Sequence, residues 1–153
     1  MRRILQKQLK KVNLHYKALK EYKEYINQLN FDFSIDEFNL LTIEKKAVLE
    51  AYLKRFASIQ DYLGAKVFRS LLDVAGISYT KMSEVLTLIE NEEIIELDKW
   101  IDFRNIRNNL EHDYPEDLED ALQNLKYCVN SFSEMEEIVK NVFKFARKYN
   151  AIV

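Results

Sequence analysis

Residues 43–75 read IEKKAVLEAYLKRFASIQDYLGAKVFRSLLDVA, and this run decides the fold class. Val48, Leu49, Tyr52, Phe56, Ile59, Leu63, Val67, Leu71 and Val74 recur along it at the spacing of one helix face. Thr42 suits the N-cap, with Glu44 in the first turn where a carboxylate meets the positive end of the helix dipole. Gly76 closes the helix as a left-handed cap. Gly64 interrupts the pattern at a cost of about 1 kcal/mol against alanine. It marks a point where another helix comes close. Arg55, Asp61 and Arg69 ride on this helix as surface charge or ion-pair partners, or as auxiliary charge for a site on the helix packed against it.

The same period extends outward on both sides. In residues 2–29, Leu5, Val12, Leu19 and Ile26 recur every seven, with Leu9 and Tyr16 between them, a seam for packing on another helix. His15 sits beside that seam and reads as a structural or surface residue. Ser34-Ile35-Asp36-Glu37 has the form of a capping box opening a short helix to about Leu41. Ser78 or Thr80 starts another, with Met82, Val85, Leu86 and Ile89 on one side. The acidic stretch from Glu90 to Glu96 holds a turn, and Asp98 suits the cap of a helix carrying Trp100, Phe103, Ile106 and Leu110. Pro115 suits the first position of a last long helix, and Glu116, Asp117, Glu119 and Asp120 suit its positive end. That helix runs to about Tyr149 on a stripe from Leu118 to Phe145. Short connections between such helices make sequence neighbours antiparallel. The expectation is a single all-α domain over residues 1–153, an antiparallel bundle of four to six helices.

Composition narrows the class further. The chain has 153 residues, is 48% hydrophobic, and holds only two glycines and one proline, which argues against a β-rich or loop-rich fold. The formal net charge is −2, so the chain as a whole is no basic coat for nucleic acid. Residues 1–25 nevertheless carry eight Lys or Arg against two Glu. That run is a solvated helix face or a contact for RNA phosphates or an acidic partner. The lone Cys128 leaves no internal disulfide, fits a reducing compartment, and reads as a small core residue. No secretory signal and no run of apolar residues long enough to span a bilayer is visible, so the expected location is the cytoplasm, away from membranes. Phosphate-loop and zinc-protease motifs are absent from the sequence, and two histidines 97 positions apart with one cysteine supply no structural zinc site. No metal and no cofactor are expected.

The polar chemistry concentrates in residues 104–115, Arg104-Asn105-Ile106-Arg107-Asn108-Asn109-Leu110-Glu111-His112-Asp113-Tyr114-Pro115. Pro115 disfavours helical geometry at Tyr114, so the helix should end near His112 or Asp113. An arginine supplies a permanent planar cation suited to phosphate, and a histidine moves protons near neutral pH. Together they suffice for phosphodiester cleavage without a metal. On a regular helix, however, Arg107 and His112 lie five residues and about 140° apart. They converge only if the helix end unwinds or a second chain completes the site. Without further information, Arg104, Arg107, Glu111 and His112 also read as one polar helix side cross-linked by Arg–Glu pairs.

The pattern Arg107-Asn108-x-x-x-His112-x-Tyr114 resembles the signature of HEPN-domain proteins, and the tyrosine two places after the histidine is similar to the HepT toxin subfamily. The resemblance covers about residues 44–148. It implies an endoribonuclease toxin of a type VII-like toxin–antitoxin pair, with Arg107 and His112 as the catalytic pair. Asn108 and Arg104 would support them. Two copies of the motif would face each other across a homodimer. The resemblance further implies a nucleotidyltransferase antitoxin, MntA-like, that adds AMP to Tyr114. The alternative it leaves open is a non-catalytic nucleotide- or substrate-binding subunit of a nucleotidyltransferase complex. A plain helical dimerisation protein is a third reading.

Overall fold

A computed structural model describes residues 1–113, 117–149 and 151, with the backbone alone for residues 110–113. Among the described residues the chain is all-α, 84% helical, without strands, and its helices pack as a bundle. The elements are α1 (Arg2–Leu29), α2 (Ile35–Leu40), α3 (Ile43–Tyr62), a π-helical turn (Leu63–Val67), α4 (Phe68–Ala75), α5 (Met82–Asn91), α6 (Leu97–Asp113), α7 (Leu118–Asn130) and α8 (Phe132–Lys148). The α3 helix, the π turn and α4 run on without a break, so seven rods make the bundle. None of these helices is long and apolar enough to cross a membrane.

Local chemistry sets most boundaries where the sequence places them. Ser34 Oγ accepts from the Glu37 N–H at 3.1 Å, and Thr42 Oγ1 accepts from the Lys45 N–H at 3.3 Å. Each satisfies a donor that the first helical turn leaves free. The Glu37 carboxylate does not close the box on Ser34; it accepts from the Asp32 N–H at 2.7 Å. Gly76 adopts φ 72°, and the Ile77 N–H returns to the Leu72 carbonyl at 2.9 Å, the paired pattern that ends a helix on a left-handed residue.

Four boundaries differ from the sequence expectation. The helix α5 begins at Met82 after an N-cap at Lys81, not at Ser78 or Thr80. The C-terminal helix is two helices, which accounts for the seventh rod. Ser131 ends α7 and begins α8 with φ −90° and ψ 7°, outside helical geometry. Side chains such as those of Asn130 and Ser131 compete for backbone groups and weaken a helix at that point. The apolar stripe continues across the break, so hydrophobic period alone does not register it. The start of α7 is also later than expected: Asp117, not Pro115, lies at its N-terminus, its carboxylate accepting from the Asp120 N–H at 3.2 Å. Pro115 and Glu116 lie outside the described residues. Finally, α6 starts at Leu97, whose N–H is taken by Glu90 Oε2 at 2.6 Å, and Asp98 falls inside the first turn.

The helix α1 runs antiparallel to α3: Lys11 meets Tyr62 while His15 meets Arg55, one index rising as the other falls. Leu5, Leu9, Val12, Leu19 and Ile26 are buried, as the seven-residue seam requires. Trp100, Tyr52, Phe56, Phe68 and Phe103 are the bulkiest fully buried side chains. Burying one such ring fully is worth about 1.5–3 kcal/mol. The Trp100 indole lies over the π turn. An alanine Cβ at Gly64 would stand 3.3 Å from Trp100 Cζ2, closer than ordinary packing. The close approach that Gly64 signals is therefore that of α6.

Candidate phosphate-binding site

The stripe that buries α6 also aims its arginine. Trp100 and Phe103 are buried and Ile106 is half-buried. Arg107 lies seven positions after Trp100 and four after Phe103, at the edge of the same face. Its stem is therefore drawn in and its side chain is only 19% exposed. The guanidinium emerges beside α3. Nη1 donates to Asp61 Oδ1 at 2.7 Å, and Nη2 donates to Asn108 Oδ1 at 3.1 Å. Nε is buried and has no partner among the described residues. Asn108 thus holds the arginine next to it, a contact that its expected part as a support for the catalytic pair did not specify.

Asp61 is 64% exposed, so the pair is half in water. Such a pair is worth about 0–1 kcal/mol. Its importance is directional: it sets where the planar cation points. Arg104, a turn earlier, is exposed and has no hydrogen bond or ion pair among the described residues.

The helix α6 is helical through Asp113, and the expected end ahead of Pro115 borders residues 114–116, which lie outside the described residues. It does not unwind between Arg107 and His112, so the two positions remain about 140° apart within one chain. The side chain of His112 and the whole of Tyr114 lie outside the described residues, as does the pairing of Glu111 with Arg104 or Arg107.

Of the three charges on the long helix, only Asp61 joins Arg107. Arg69 Nη2 donates to the Ala65 carbonyl at 2.6 Å, within the π turn. Arg55 faces α1, where Nη1 donates to His15 Nδ1 at 2.9 Å. An imidazole that accepts from a guanidinium is neutral at that nitrogen. Burial, then Arg55, then Lys11 hold the His15 pKa below its usual value.

Two groups that sequence patterning does not flag lie on the same helix. The Tyr62 ring, next to Asp61, carries Lys11 Nζ at 4.6 Å and Lys66 Nζ at 5.9 Å from its centroid. The only sequence trace of this is the excess of basic residues in α1.

Elsewhere, a cleft of about 450 Å³ between the start of α6 and α8 is lined by Glu90, Glu93, Glu96, Glu134 and Glu137 with Lys99 and Asn141. Its carboxylates repel a phosphate chain. Cys128 is buried among apolar side chains, which pushes its thiol up to about 12, a core residue and no nucleophile. Among the described residues no group of three or more His, Cys, Asp or Glu side chains is placed to hold a metal ion. Comparison with protein families, with curated proteins and with solved structures finds no match to this chain.

Proposed function

We propose that the protein is a metal-independent endoribonuclease of the HEPN type, HepT-like, working as a homodimer in the cytoplasm. The observation that carries this reading is the held Arg107. Its guanidinium is fixed by Asp61 and Asn108 at the edge of the bundle, on the helix that also carries His112.

The chemistry follows from the two groups. A ribose 2′-hydroxyl attacks the adjacent phosphorus while His112 takes its proton. Arg107 balances the charge that builds on the phosphoryl oxygens. The bond from phosphorus to the 5′-oxygen breaks, and a second histidine or water returns a proton to that oxygen. The products are a 2′,3′-cyclic phosphate and a 5′-hydroxyl.

The regular helix favours a site shared between two chains. The 140° between Arg107 and His112 does not close within one protomer, whereas an arginine of one protomer can serve the histidine of its partner. The antitoxin of this reading is a nucleotidyltransferase that joins AMP from ATP to the Tyr114 hydroxyl and releases pyrophosphate. The added negative phosphate and bulk would then compete with RNA for the site. Mass gain on Tyr114 after incubation with a cognate nucleotidyltransferase and ATP tests that step.

The same 140° supports a second reading. A single chain can hold a phosphate at Arg107 without placing His112 to cut, as a nucleotide-binding subunit would. Purified protein incubated with total cellular RNA in EDTA separates the two. Wild type should cut, and His112→Ala and Arg107→Ala should not. A folded, dimeric wild type that leaves RNA intact would move the assignment to nucleotide binding.

A further inference from the structure

We propose that the groove between α1 and α3 holds the backbone of single-stranded RNA, with Lys11 and Lys66 as its phosphate ligands and Tyr62 as the platform that positions them. The inference rests on the ribonuclease reading for its substrate but on different residues for its support.

Lys11 comes from α1 and Lys66 from the π turn, and both ammonium groups converge on one ring. Two like charges gather there without a carboxylate partner among the described residues. Ring quadrupoles attract ammonium groups, so Tyr62 offsets part of the repulsion between them. An anion placed between them would remove the rest.

The flanks extend the charge along the groove. Lys7 is exposed one helical turn before Lys11. On the other side, Arg55 reaches His15. Cations repeated at one-turn spacing on a helix, with an aromatic ring among them, match what a single-stranded backbone meets on proteins that bind it. Residues 1–25 hold eight Lys or Arg against two Glu, although the whole chain is −2. The positive charge is therefore concentrated on this helix.

The groove also lies beside the candidate site. Asp61 and Tyr62 are consecutive on α3, and Asp61 is the residue that holds Arg107. The Lys11–Lys66 pair thus lies one residue along α3 from the carboxylate that engages Arg107, and that pairing offsets the Asp61 charge toward a passing strand. The π turn contributes directly, because its wider winding sets the position of Lys66 relative to Tyr62.

The test is fluorescence anisotropy with a single-stranded RNA of about 20 nucleotides and mixed sequence, 2′-O-methylated at every ribose so that 2′-attack cannot occur. The full chain is titrated at several salt concentrations. Lys11→Gln/Lys66→Gln should weaken binding about tenfold and flatten the slope of log K against log salt by about 1.4, two released phosphate contacts at about 0.7 each. Lys126→Gln/Lys144→Gln, an equal charge change on α7 and α8, should bind as wild type does. Equal affinity and slope for the Lys11/Lys66 variant would overturn the proposal. So would absence of RNA binding by wild type, or binding of a polyglutamate peptide through these lysines in preference to RNA. Cleavage in EDTA is read separately: cutting with no Lys11/Lys66 effect sinks the groove alone, and groove binding with no cutting sinks the nuclease alone.

Discussion

Arg107 of α6 and Asp61 of α3, 46 positions apart, meet at 2.7 Å, and Asn108 takes the second arm of the same guanidinium. An arginine with a long flexible stem is thereby held in one orientation. Preorganised cations contribute more to a charged transition state than mobile ones, because no reorganisation is needed when charge develops.

Removing the carboxylate while keeping its shape isolates that effect. Asp61→Asn should leave stability within about 1 kcal/mol of wild type, since the pair is half-exposed. It should lower kcat for RNA cleavage about tenfold with little change in KM, the signature of an interaction that matters mainly in the transition state. A wild-type kcat for Asp61→Asn would show that Arg107 needs no help from α3.

Gly64 and Trp100 offer a stability test. In Gly64→Ala the new Cβ meets Trp100 Cζ2 at 3.3 Å, and the indole sits between Phe68 and the π turn. Alanine gains about 1 kcal/mol of helix propensity over glycine, while overpacking a filled core costs about 1–3 kcal/mol. The expected balance is a net loss of about 1 kcal/mol, with Gly64→Val worse. Urea denaturation measures both. A more stable Gly64→Ala protein would mean that α6 yields to the methyl group.

Cys128 should be inert in the folded protein. Its thiol lies 1% exposed and is pushed up to about 12, and the neighbouring carbonyl of the same residue accepts from Tyr52 Oη at 2.8 Å. Only thiolate attacks an alkylating reagent. Iodoacetamide at about pH 8 should label the native chain far more slowly than the urea-unfolded chain, followed by mass spectrometry. Equal rates would contradict the packing of α7 on α3.

His15 predicts a pH dependence of stability with a definite sign. Its folded pKa is depressed, by burial first and then by Arg55 and Lys11. As pH falls below the ordinary histidine value near 6.5, the unfolded chain binds a proton that the folded chain resists, so stability falls. Above about pH 7.5 both states are neutral and the contribution is fully present. His15→Gln should therefore lose less stability than wild type between about pH 7.5 and pH 5.5. Denaturation curves at the two pH values settle it, and identical losses in both proteins would place His15 in ordinary solvent.

Much of the fold was legible in the sequence because its causes are local. The apolar period of residues 43–75 and the caps at Ser34, Thr42 and Gly76 depend on residues within one or two turns. Even Gly64 announced a close approach, although not by which residue. The division at Ser131 was hidden because the stripe from Leu125 through Val129 to Met135 keeps helical spacing across it. On the site, Arg107 stood out by its chemistry and its neighbour Asn108.

Sequence alone therefore determined the all-α class and most helix limits. Only the tertiary structure decided that Asp61, rather than Arg55 or Arg69, faces Arg107. It alone joined Lys11, Tyr62 and Lys66 across two elements. The reason is physical. Caps and periodicity act over a few residues along the chain, whereas which side of α3 meets α1 and which meets α6 depends on packing every apolar face at once.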